Sequence, residues 1–214
     1  MLRFSLFDVP IAVHWLFWLS SAVIGGALGA ATVEGWIRVA VFVAVVLISV
    51  LLHELGHALV ARRFGARPAI LLHGLGGLTH LFGARLTRGQ GILVSLAGPM
   101  AGLALGAIVL GIGEFVTAAN AVGRSALGAL VVVNIGWSLF NLLPILPMDG
   151  GQVLRDLAGP RRSRMVRVVG LSLAAALCGL SLWGQQWFLA ILFGVMAWQN
   201  YTDQRRIPGG VTRG

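Results

Sequence analysis

His53, Glu54 and His57 stand in the run VAVVLISVLLHELGHALVARRFGA, residues 43–66, among Val, Leu, Ile and Ala. Ionisable groups are costly inside a bilayer and rarely persist there without a task. Two histidines four residues apart share one face of a helix. That spacing lets two imidazoles hold one zinc, with Glu54 beside them as general base for a water. A catalytic zinc takes three protein ligands and keeps one position open. The acidic residues are Asp8, Glu34, Glu54, Glu114, Asp149, Asp156 and Asp203. Besides Glu54, only Asp149 lies beside an apolar run and close to the end expected to face the cytoplasm. It is the candidate third ligand, set in NLLPILPMDGGQV, residues 141–153. Pro144 and Pro147 would break the helix there, and Gly150 and Gly151 would free the backbone to turn. Depth agrees as well: His57 precedes Arg62 by about 7 Å of helix, and Asp149 precedes Arg155 by a similar stretch.

These groups need a scaffold, and composition says which kind. Of 214 residues, 57% are hydrophobic and 11% charged, against about 25% charged in a soluble domain. A water-soluble body is excluded. The expectation is an all-α polytopic membrane protein with about six transmembrane helices. Their candidate ranges are 11–31, 37–61, 91–112, 125–146, 168–184 and 187–202. The first is read as a retained span and not a cleaved signal. Between the second and third lies RRFGARPAILLHGLGGLTHLFGARLTRGQ, residues 62–90. Pro68 and the glycines make it a small membrane-associated β region. Residues 1–203 would form a single transmembrane domain, and 204–214 a disordered cytoplasmic tail.

The net charge is +9, and all 16 basic residues are Arg. They sit in short clusters between apolar runs, which fits membrane topology and not nucleic-acid binding. With both termini in the cytoplasm, 14 of the 16 fall on that side; Arg38 and Arg124 do not. One cysteine, Cys178, excludes an internal disulfide or a cysteine metal cluster.

Asn134, Ser138 and Asn141 form a polar stripe on the fourth span. Interhelical hydrogen bonding accounts for Asn134 and Ser138; Asn141 is favoured as a group that orients the substrate carbonyl or its oxyanion. Gly98, Gly102 and Gly106 form a face for close helix packing. His14 either snorkels at the interface beside Trp15 or faces the active cavity. His73 and His80 are placed at the interface, away from the metal. Residues 69–80, AILLHGLGGLTH, are the candidate strand edge on which an unwound substrate could add as a further strand.

Together these segments resemble the site-2 protease family of intramembrane zinc metalloproteases. The resemblance rests on HELGH at 53–57, SLAGP at 95–99 and NLLPILPMDGG at 141–151, in that order. It covers roughly residues 43–153 and is similar to the compact sporulation-type branch without PDZ domains. It implies one zinc per chain held by His53, His57 and Asp149, with Glu54 as catalytic base and Asn141 in substrate handling. Two departures stand out. Gly102 replaces an Asn common after the family's Ala-Gly-Pro, and regulation through the nucleotide-binding CBS domain that this branch often adds is not expected. The implied activity is hydrolysis of peptide bonds in or near transmembrane segments of membrane-protein substrates, in a bacterial or archaeal cell membrane. The rival classes are a zinc transporter and a non-catalytic binding protein. A transporter would spread its ligands along a pathway, and the intact Glu54 argues against a silent binder.

Overall fold

The structure is a computed structural model that describes residues 1–74, 76–113 and 121–205. The chain divides into two compact units, Met1–Phe140 and Asn141–Gly214. Among the described residues, four helices are long and apolar enough to cross a membrane. They are Val33–Arg63, Arg88–Gly113, Val122–Asn141 and Pro160–Trp183. Large apolar side chains such as Ile48, Leu93, Met100, Ile108 and Leu180 are exposed on them, as a lipid-facing surface requires. The chain is an integral membrane protein.

The first unit opens with a hairpin, β1 (Leu2–Leu6) and β2 (Val9–Val13), paired antiparallel from Leu2–Val13 to Leu6–Val9. Phe7 and Asp8 both have positive φ, 51° and 59°, the backbone of a tight two-residue turn that matches strand twist. The Arg62 guanidinium donates to Phe7 O and ties this turn to the end of the next long helix. Helix α1 (Trp15–Ile24) follows, then a 3-10 turn at Ala27–Gly29 and helix α2 (Val33–Arg63). Strands β3 (Arg67–His73) and β4 (Gly76–Phe82) complete a four-stranded sheet in the order β1-β2-β3-β4. β2 and β3 run parallel, Ile11 opposite Ile70 and Val13 opposite Leu72. β3 and β4 run antiparallel, from Arg67–Phe82 to His73–Gly76.

One face of this sheet carries Val9, Ile11, Val13, Ile70 and Leu72, and packs on Phe17, Val50, Leu55 and Ala58. The alternation of β2 and β3 thus builds a core against α1 and α2. Helices α3 (Arg88–Gly113) and α4 (Ala121–Asn141) complete the unit. α2 and α3 come very close at Gly56, where a Cβ would lie 2.6 Å from Ala97 O.

The second unit holds α5 (Asp149–Ala158), a 3-10 turn at Pro160–Arg162, α6 (Ser163–Trp183) and α7 (Trp187–Arg205). α6 and α7 pack on each other. Asn200 of α7 is 2% exposed, and its Nδ2 donates to Leu146 O at 2.7 Å.

Several expectations change. The segment 11–31 is not one helix. β2 takes its first residues, α1 has only ten, and Gly26 at φ 92° begins a separate turn. An apolar run does not by its pattern distinguish a buried strand from a helix. His14 settles the break: it is the N-cap of α1, its Nδ1 accepting from Leu16 N at 3.3 Å. The fourth expected span, 125–146, ends at Asn141 because the proline-broken stretch begins there. The β region lies between the second and third expected spans, but its sheet also recruits β1 and β2 from the N-terminus. β3 therefore has partners on both sides, so of residues 69–80 only those in β4 lie at an edge. Gly150 and Gly151 sit in the first turn of α5, not in a free turn. α7 occupies the sixth expected span and runs on to Arg205, so Gln204 and Arg205 are helical; residues 206–214 of the expected tail lie outside the described residues.

Candidate metal centre

A continuous helix fixes the first two candidate ligands. Four residues apart on α2, His53 and His57 are 2% and 7% exposed, and their Nε2 atoms lie 3.2 Å apart. The His57 Nδ1 is 2.7 Å from Val94 O. A carbonyl only accepts, so Nδ1 carries the proton and Nε2 presents its lone pair toward His53. This is the arrangement in which a metal-ligating histidine is oriented by a backbone carbonyl behind it.

The pair fits zinc. At Zn–N distances near 2.0–2.1 Å, tetrahedral geometry separates two nitrogens by about 3.3 Å, close to the 3.2 Å observed. The room around them is also specific. A Cβ on Gly98 would lie 2.2 Å from His57 Nε2, so α3 can approach the imidazole only because residue 98 lacks a side chain. Pro99, in the next position, has no N–H to bond Ser95 O and loosens that turn of α3. Val94 O, which takes His57 Nδ1, belongs to the same turn.

Glu54 is 5% exposed. Its Oε2 accepts from Thr79 Oγ1 at 2.6 Å, and its main-chain O lies 3.2 Å from the same hydroxyl. Gly77, two residues earlier on β4, faces it too: a Cβ there would meet Glu54 Cγ at 2.3 Å and Oε1 at 2.5 Å. One turn before His53, Ser49 Oγ accepts from Asn134 Nδ2 at 2.8 Å. Gly102 lies against Ser138, whose Oγ would be 2.3 Å from a Cβ there. The polar stripe on α4 thus faces α2 and α3, and Asn134 makes the interhelical bond expected of it.

In the second unit Asp149 is the first residue of α5 and is 8% exposed. A Cβ on Gly150 would lie 2.0 Å from Leu142 O, and one on Gly151 2.6 Å from Ile145 O. The two glycines therefore press the start of α5 onto the backbone of the preceding proline-broken stretch. Asn141 is the last residue of α4 and begins this unit. His73 ends β3 opposite Gly76. His80 is exposed on β4 and stacks with Phe82 at 6.2 Å between ring centroids.

Thr79, Ser49 and Asn200 were not singled out by sequence. The segment that holds Thr79 was quoted, but nothing in its local pattern signals a contact with Glu54, 25 residues earlier in the chain.

A buried imidazole pair with a carboxylate between them, on a helix long enough to span a bilayer, defines a membrane-embedded metal-site protein. The profile of Peptidase family M50 matches residues 41–125 and 112–182, and the chain belongs to that family. Among curated proteins it is 30% identical over 177 residues to a zinc metalloprotease of Methanocaldococcus jannaschii, covering 80% of this chain and 50% of that protein. It is 32% identical over 199 residues to Rip2 of Mycolicibacterium smegmatis, covering 76% of each. The chain spans about half the length of the first of these relatives. The solved site-2 protease from Methanocaldococcus jannaschii superposes with a TM-score of 0.71 at 26% identity, covering 100% of this chain and 99% of that one.

Proposed function

We propose that this protein is an intramembrane zinc metalloprotease that hydrolyses peptide bonds in or near transmembrane segments of membrane-protein substrates. The observation that carries the reading is the His53–His57 pair. Its nitrogens stand one tetrahedral chord apart, buried on a spanning helix, with a carboxylate on the residue that follows His53. Zinc is the cofactor, one per chain. His53, His57 and Asp149 are its ligands; each is buried and offers one nitrogen or oxygen. The match of family, motif order and donor chemistry supports Asp149 over the other acids.

Zinc in such a site acts as a Lewis acid that polarises a carbonyl and acidifies a water. The remaining work falls to the chain. Glu54 accepts a proton from the attacking water and delivers it to the leaving amine. Asn141 orients the scissile carbonyl. The apolar walls of α2 and α3 limit bulk water. An extended substrate needs partners for its amides in lipid. β4 is an edge of the sheet, and its inward side already touches Glu54, so its outer edge is the place for an added strand.

Residues 1–203 act as one proteolytic domain in a bacterial or archaeal cell membrane, with both termini cytoplasmic. The arginine distribution supports that orientation. Cells carrying Glu54→Gln should accumulate an uncleaved membrane precursor relative to wild type, detected by comparing membrane proteomes. Identical proteomes under conditions where the protein is expressed would count against the reading.

A further inference from the structure

β4 meets the proposed base through two inward positions, Gly77 and Thr79, which share one face of the strand. The Thr79 hydroxyl is 2.6 Å from Glu54 Oε2. A Cβ at residue 77 would stand 2.5 Å from Oε1. We propose that Thr79 is a positioning residue for hydrolysis: it holds Glu54 Oε2 and leaves Oε1, in the space over Gly77, as the oxygen that takes the proton. This rests on the reading of Glu54 as general base.

The physical argument has three parts. A carboxylate hydrogen-bonded at one oxygen cannot rotate freely about its last torsion, so the other oxygen has a fixed direction. A lone pair that already accepts a short, charge-assisted bond is less available for a second proton, which directs proton uptake to Oε1. Threonine, finally, suits the task in a strand. Its branched Cβ restricts χ1, so the backbone of β4 sets the direction of the hydroxyl. The hydroxyl has one proton, and the shorter distance directs it to Oε2 at 2.6 Å in preference to the Glu54 carbonyl oxygen at 3.2 Å.

A residue that only supported the fold would change stability or zinc content. One that aims the base should change turnover alone. The test compares the full-length protein with Thr79→Val, which keeps the shape and loses the donor, and Thr79→Ser, which keeps the donor. Thr79→Val should lower kcat about ten- to hundredfold, as for loss of a hydrogen bond to a charged group. KM, zinc per chain and the melting temperature should stay at parent values, and Thr79→Ser should recover most of the rate.

A second readout needs neither metal nor turnover. In metal-stripped protein with 13C-labelled glutamate, the Glu54 carboxylate band is the one missing from Glu54→Gln. Thr79→Val should shift it, and Thr79→Ser should not. Parent turnover in Thr79→Val, an unshifted band, or a rate loss that follows zinc loss and is equal in the Ser variant would each overturn the proposal. If instead Glu54→Gln cleaves at the parent rate, the assignment of the base fails, while the infrared shift still reports the contact.

Discussion

The turn that holds His53 and His57 and the turn that opens on Asp149 reach burial by opposite means. The histidines lie far inside an unbroken helix of 31 residues. Their mutual spacing is a property of helix geometry alone. Asp149 is the first residue of a ten-residue helix that follows a stretch broken by Pro144 and Pro147. Its position depends on backbone touching backbone, through Gly150 on Leu142 O and Gly151 on Ile145 O, and on Asn200 holding Leu146 O. A ligand pair set by a helix is robust and can be read from spacing. A ligand set by an irregular turn depends on neighbours whose importance spacing does not reveal.

The sharpest contrast comes from removing ligands. His53→Ala, His57→Ala and Asp149→Ala should each abolish cleavage and sharply reduce zinc per chain, measured by metal analysis of the purified protein. If Asp149→Ala kept full zinc, the second turn would not be part of the metal centre.

Scanning proline across Gly76–Phe82 separates binding from metal. Positions whose N–H faces the outer edge of β4 should lose cleavage and keep zinc. Uniformly unchanged cleavage would remove the strand-addition reading.

Glycine substitutions probe what each turn is built on. Gly150→Ala would force a Cβ to within 2.0 Å of a main-chain oxygen. Overpacking of this kind costs about 1–3 kcal/mol, and helical backbone offers little relief, so melting temperature and zinc content should both fall. Gly98→Ala would meet the His57 imidazole at 2.2 Å. A side chain can shift where backbone cannot, so its effect should centre on zinc affinity, with a smaller change in melting temperature.

The smallest effect belongs to Asn200→Ala. It leaves the half-buried Leu146 O without its side-chain donor, at a cost of about 0.5–1.5 kcal/mol for the lost bond. The melting temperature should drop while zinc, once bound, still supports cleavage.

This comparison also explains what could be read in advance. HELGH announced itself because ionisable groups in an apolar helix demand a reason, and the i, i+4 spacing survives any tertiary context. Depth and elimination were enough to propose Asp149 as a ligand, but the role of Gly150 and Gly151 was misread as freedom when it is close approach. β1 carries a short alternation, Leu2, Phe4 and Leu6 against Arg3 and Ser5, but all five residues are exposed, so the alternation marks no buried face. β2 and α1 merged into one apolar run because hydrophobicity alone does not mark where a strand stops and a helix starts; His14, the cap, was the residue that divides them. Thr79 was hidden for another reason. Its contact joins β4 to α2 across 25 residues of chain, and no local spacing encodes that meeting.

The central claim is that Glu54 is the base at a zinc held by these two turns. It is tested most directly by measuring zinc per chain and cleavage of one transmembrane substrate in parent and Glu54→Gln protein purified side by side. The account predicts about one zinc in both and cleavage by the parent alone. Cleavage by Glu54→Gln at the parent rate would contradict it.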